Sequence, residues 1–222
     1  MLDESSRIVG GAEADPNSIP WQVALVASWP WNLFFGQEVL CGGTIICSKY
    51  ILTAAHCTVG YFAKPGRFLV VAGEHDILDH SDQATRHSVK AIYDHPNYVT
   101  AFKGFDYSIL ELDTPIDLSA SSKARAACLP DKEDTQFNSD TKFVVSGWGM
   151  KGANMKGSTV LHHVTLPWVD VTAAAKIGVD PSDMDTMMCA GNPYGSKVSG
   201  CEGDSGGISS IREDLETFLT KF

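Results

Sequence analysis

Positive charge is scarce in this sequence. Its 17 Lys and Arg stand against 27 Asp and Glu, a formal net charge of −10, and the basic residues form no cluster. The electrostatic footprint that a nucleic acid or an anionic membrane surface requires is therefore missing. Long apolar runs are lacking as well. No stretch reaches the ~18 residues of a spanning helix, and the richest, "WQVALVASWPWNLFFG", is broken by Pro30 and reads as a strand followed by a loop. None of the six cysteines falls in a C-x-x-C spacing, which removes the usual zinc and redox signatures and leaves an oxidising compartment, hence secretion, as the expected setting. The opening "MLDESS" is acidic and too short for a signal peptide, so a targeting segment for export is expected to lie outside this chain. There is no internal repeat and no low-complexity tract.

What the sequence does contain is a series of short β-rich runs bounded by Gly, Pro, Asn and Asp: "WQVALVA", "LCGGTII", "RFLVVAG", "RHSVKAIY", "YSILEL", "KFVVSGW" and "VLHHVTL". That spacing predicts an all-β sandwich or barrel. At 222 residues the chain can bury one large β domain or two small ones, with a Pro-bounded, Ser-rich connection over residues 113–130. Helix-favouring composition is confined to "TAAAKI", residues 172–177, and to the tail "IREDLETFLTKF". There Ile211, Leu215, Phe218 and Phe222 fall at helical spacing and form one apolar stripe.

In "GCEGDSGGISS", residues 200–210, Ser205 stands among small residues. Glycines let the backbone turn sharply and let a carbonyl approach neighbouring N–H groups, as acyl transfer needs, although Gly-rich turns also contain serine without chemistry. A base and an orienting acid are required. "CGGTIICSKYILTAAHC" places His56 after a strand and two alanines, flanked by Cys41 and Cys57, and a bridge closing that loop would contribute about 3 kcal/mol. "FDYSILEL" places Asp106 at the mouth of an alternating strand, where it is either a strand-start cap or the acid that fixes the tautomer of the histidine. The order His56, Asp106, Ser205, with His163 the last histidine, excludes the α/β-hydrolases, in which histidine follows serine.

The blocks "RIVGG", "CGG" with "TAAHC", "HPNY", "DYSILEL", "ACLP", "SGWG", "MCAG" and "GCEGDSGG" stand in the order seen in chymotrypsin-like (trypsin-fold) serine proteases, and they span residues 7 to 207. The chain resembles that family closely. The resemblance implies two antiparallel six-stranded β-barrels, residues 8–120 forming the first and 121–222 the second, after an activation-peptide remnant at 1–7. It implies that Ser205 attacks a peptide carbonyl, His56 carries the proton, Asp106 orients His56, and the backbone N–H groups of Gly203 and Ser205 form the oxyanion hole. It further implies a zymogen. Cleavage after Arg7 by a trypsin-like protease frees the amine of Ile8 to pair with Asp204. Protein or peptide substrates and protein inhibitors are the expected partners, and no cofactor is implied.

The sequence departs from the family pattern in several places. Ser199, six positions before Ser205, falls where trypsin-like members carry a pocket-floor Asp, so apolar substrates are expected over basic ones; a loop one residue longer would put Val198 there instead. After "GDSGG" the strands that complete the second barrel are replaced by the atypical tail 208–222, with Ile208 where proline is usual, so the second barrel is expected to be incomplete. A tail helix would cover apolar core and leave the strand edge unpaired. Cys41 and Cys57 match the family pair, whereas Cys189 and Cys201 lack their expected partners, and a bridge between Cys128 and the extra Cys47 is left open. Glu74, Asp76, Asp79 and Asp82 lie in the loop where some members bind calcium, but their spacing favours a solvated acidic loop, so no metal is expected. Adjacent His162 and His163 point to opposite faces of one strand and do not form a metal site. A homologue without activity that acts as a binding protein is the rival reading.

Overall fold

The computed structural model describes residues 11–28, 39–59, 64–79, 81, 83–129, 137–138, 140–151, 156–170, 172–173, 188–191, 209–213 and 216–220. In chain order the strands are β1 (Ala12–Glu13), β2 (Gln22–Ala27), β3 (Val39–Cys47), β4 (Tyr50–Thr53), β5 (Phe68–Ala72), β6 (Thr85–Asp94), β7 (Ser108–Leu112), β8 (Lys142–Gly147), β9 (Met150–Lys151), β10 (Lys156–Gly157), β11 (His162–Val169), β12 (Cys189–Ala190), β13 (Ser209–Glu213) and β14 (Glu216–Thr220). All seven runs read as strands from composition are strands. Single-turn 3-10 helices cover Ala55–Cys57 and Ala101–Lys103.

Strands β2-β3-β4-β7-β6-β5 close into an antiparallel barrel, so none of them leaves an unpaired edge. Alternation sorts their side chains. In β7, Ser108, Leu110 and Leu112 are buried while Ile109 and Glu111 face outward. The barrel is filled by Val23, Leu25, Ile45, Ile51, Phe68, Val70, Val89, Leu110 and Leu112, each of the larger ones contributing about 1.5–3 kcal/mol on burial. Strand β2 is buried on both faces, which explains its unbroken apolar run. Val23 and Leu25 point into the barrel, and Ala24 and Val26 pack with Trp148, Leu161, Ile77 and Ala14 on the other side.

The second sheet has six strands in the order β1-β11-β8-β13-β14, with β12 also on β11, and it does not close among the described residues. The tail differs from the helix its apolar spacing suggested. Ser209, Ser210 and Ile211 pair with Val145, Val144 and Phe143 of β8, and β14 folds back on β13 so that Ile211 faces Phe218 in register. The physical reason is the edge of β8. A strand donates and accepts along that ladder, whereas a helix would satisfy only itself.

The 113–130 connection is no free linker: Ile116 N–H bonds Ser48 O (2.8 Å), Arg125 N–H bonds Pro20 O (3.0 Å) and Ala127 N–H bonds Ile45 O (2.9 Å). Of "TAAAKI", Thr172 and Ala173 are helical, with the Ala173 N–H donating to Asp170 Oδ1 at 2.8 Å; residues 174–177 lie outside the described residues. Cys41 and Cys57 are bonded, with Cα atoms 6.2 Å apart. Cys47 and Cys128 are exposed free thiols, so the bridge left open between them is not made, and Cys189 is also free.

Candidate active site

His56 leaves the barrel at the end of β4. Buried Ala54 and Ala55 let the chain turn tightly there, and the Thr58 and Val59 N–H groups close the turn on Ala55 O at 3.0 and 3.2 Å. The Cys41–Cys57 bond ties the residue after His56 to β3. The buried Thr58 hydroxyl lies 2.9 Å from Ala55 O and 2.5 Å from Asp94 Oδ1, anchoring the turn to the end of β6.

Asp106 comes from the other side, just before β7. Its Oδ1 accepts the backbone N–H of His56 at 2.8 Å, and its Oδ2 lies 2.6 Å from His56 Nδ1. Both carboxylate oxygens thus face one residue, 50 positions away in sequence. An ionised carboxylate only accepts, so the Nδ1 of a neutral His56 carries the proton and Nε2 keeps a lone pair. No described residue bonds Nε2. The Asp106 side chain is 12% exposed and that of His56 35%: the carboxylate is sheltered and the imidazole reaches solvent. Tyr98 packs nearby, and burial, followed by the negative charges of Asp106 and Asp94, pushes its phenol up from the ordinary value.

This pair is an imidazole gripped at two points by a half-buried carboxylate, on a closed antiparallel barrel that abuts a second sheet. Residues 8–209 match the family described as Trypsin. The chain belongs to the trypsin family. It is 35% identical to coagulation factor IX of Cavia porcellus over 98% of this chain and 72% of that protein, and 33% identical to coagulation factor IX of Oryctolagus cuniculus over 98% of this chain and 74% of that one. Membership makes it a chymotrypsin-like serine endopeptidase with a trypsin fold.

Of the residues the sequence nominated, the structure brings together His56, Asp106, Cys41 and Cys57. Ser205, Gly203, Asp204, Ser199, Val198, Arg7, Ile8, Cys201 and Asp82 lie outside the described residues. In the acidic loop, Asp76 Oδ1 accepts the Leu78 N–H (3.1 Å) and Asp79 Oδ1 that of Ser81 (2.9 Å). Glu74 is buried there. Among the described residues the one grouping of possible metal ligands is Cys41, His56 and Cys57, whose two sulfurs are consumed by their own bond. No helix among them is long and apolar enough to cross a membrane. Sequence reasoning passed over Thr58, Asp94 and Phe105 around the site. "HPNY" pointed at His95, yet no spacing rule could say that it meets the residues on either side of Asp106.

Proposed function

We propose that this endopeptidase hydrolyses peptide bonds with a triad of His56, Asp106 and Ser205. The observation that carries the reading is the two-point grip of Asp106 on His56, 2.8 and 2.6 Å, which leaves Nε2 as the basic nitrogen. Ser205 Oγ attacks the scissile carbonyl as its proton passes to Nε2. The resulting imidazolium is stabilised by Asp106, and the proton then goes to the leaving amine. The acyl-enzyme is released by water through the same base. The Gly203 and Ser205 N–H groups hold the oxyanion, each worth about 3 kcal/mol.

The chain is proposed as a zymogen, because "RIVGG" offers a trypsin-type cut after Arg7 and Asp204 is the carboxylate that the new Ile8 amine would meet. The uncharged Ser199 favours apolar or aromatic residues before the scissile bond. Secretion fits the Cys41–Cys57 disulfide, with protein substrates, an activating protease and protein inhibitors as partners. The division into an activation remnant at 1–7, a first barrel over 8–120 and a second unit over 121–222 belongs to the same proposal, although β1 crosses over to pair with β11. Burst kinetics with an activated apolar ester, on the chain cut after Arg7, test the reading. A burst that is lost in Ser205→Ala and absent from uncut Arg7→Gln supports it. A burst that survives in Ser205→Ala overturns the triad, and equal activity in the uncut chain overturns the zymogen.

A further inference from the structure

Asp106 is flanked by two aromatic residues, and both meet the same imidazole. The His95 ring lies parallel to that of Phe105, with centroids 4.7 Å apart and planes 3° apart, and tilted by 51° to that of Tyr107 at 4.6 Å. The His95 N–H donates to Tyr107 O at 3.1 Å, and its Nδ1 accepts the Asn97 N–H at 3.2 Å, which places the proton of the neutral ring on Nε2.

The backbone under these rings is strained. Gly104 has φ +71° and Phe105 φ +56°, a left-handed conformation that bulky side chains avoid, and the Tyr107 N–H closes onto Phe105 O at 2.9 Å across Asp106. Such a conformation persists only where its surroundings over-determine it. Here the surroundings include the imidazole that Phe105 and Tyr107 both pack on.

We propose that His95 is a positioning residue for Asp106: by packing against Phe105 and Tyr107 it holds the turn that aims both carboxylate oxygens at His56. Residue 105 directly precedes Asp106, so its relaxation out of the left-handed region would swing the carboxylate and break the two-point grip. The inference rests on the reading of Asp106 as the orienting acid.

The test compares His95→Ala with His95→Phe, which keeps an aromatic ring and loses the Nδ1 acceptor, in the full chain cut after Arg7. In His95→Ala, kcat should fall about 10–100-fold, the scale of a small misplacement of a reacting group, with KM unchanged, while His95→Phe keeps most of the wild-type kcat. The low-field proton resonance of the His56–Asp106 hydrogen bond, readable whether or not the chain turns over, should be lost in His95→Ala and kept in His95→Phe. Should His95→Ala fail to fold, His95→Phe decides by the same two readouts. Unchanged kcat and resonance in His95→Ala, or a loss in His95→Phe as large as in His95→Ala, overturns the proposal. Asp106→Asn in the same assays separates the two levels: full kcat there sinks the triad itself, whereas a large loss beside an unaffected His95→Ala sinks only the role of His95.

Discussion

Two imidazoles of the barrel occupy opposite environments. His56 stands open to solvent beside a carboxylate, whereas His87 on β6 is 6% exposed and its hydrogen-bond partners among the described residues are neutral. Its Nε2 lies 2.8 Å from the Thr85 hydroxyl and its Nδ1 3.2 Å from both Thr114 O and Thr114 Oγ1. Burial holds the His87 pKa below its ordinary value, and the Thr114 carbonyl offsets this in part. The folded state therefore resists a proton that the unfolded chain accepts at about pH 6.5. Above that pH both states are neutral and no penalty exists; as pH falls through the unfolded value toward the lower folded one, stability is lost. Thermal melts between pH 7.5 and 5 should show His87→Gln losing less of its Tm than the wild-type chain over that interval. Parallel Tm curves would remove His87 from the acid response.

At the scale of elements, β3 and the tail strands show what patterning can and cannot say. Gly43 on β3 lies opposite Val23 of β2, and a Cβ there would meet Ile51 Cγ2 at 2.9 Å, Val23 Cγ2 at 3.0 Å and Leu52 O at 3.3 Å. Gly43→Ala should cost roughly 1–3 kcal/mol by overpacking, read as a lower denaturation midpoint with an unchanged m-value; a stability equal to wild type would mean that the barrel wall yields at no cost. The barrel strands were legible because each buries one face, or in β2 and much of β3 and β5 both, and so carries alternation or an apolar run. Asp106 and His56 were legible because their local sequence blocks are distinctive. The tail was not. Ile211, Leu215, Phe218 and Phe222 repeat at helical spacing, yet the free edge of β8 outweighs that periodicity, and no local pattern records an edge supplied by residues 142–147. Ser210→Pro separates the two readings. Proline just ahead of a helix beginning at Ile211 is harmless, but within β13 it removes a ladder donor from a strand paired on both sides. Proteolysis within the tail should become faster in Ser210→Pro; an unchanged rate contradicts the strand.

At the scale of the whole molecule, the barrel and the second sheet share a seam. Ser146 Oγ donates to Gln22 Oε1 at 2.8 Å, Trp148 Nε1 donates to His75 O at 3.0 Å, and the backbone N–H groups of Ile77 and Leu161 bond Thr159 O and His75 O at 2.8 and 2.9 Å. The fully buried Trp148 fills the apolar part of that seam with Ala24, Val26, Val71 and Leu161. Trp148→Ala should cost about 3–5 kcal/mol and split one calorimetric transition into two; a single, barely shifted transition would show the halves to be coupled by other means. The seam matters to function because His56 and Asp106 come from the barrel while Ser205 comes from the region that follows β12, so the proposed nucleophile must be delivered to a base on the other unit. The most direct measurement is mass spectrometry of the chain, cut after Arg7, after exposure to a fluorophosphonate. The account predicts one adduct, on Ser205, formed rapidly in the wild-type chain and at background rate in His56→Ala. An adduct elsewhere, no adduct at all, or labelling of Ser205 that is indifferent to His56→Ala would contradict it.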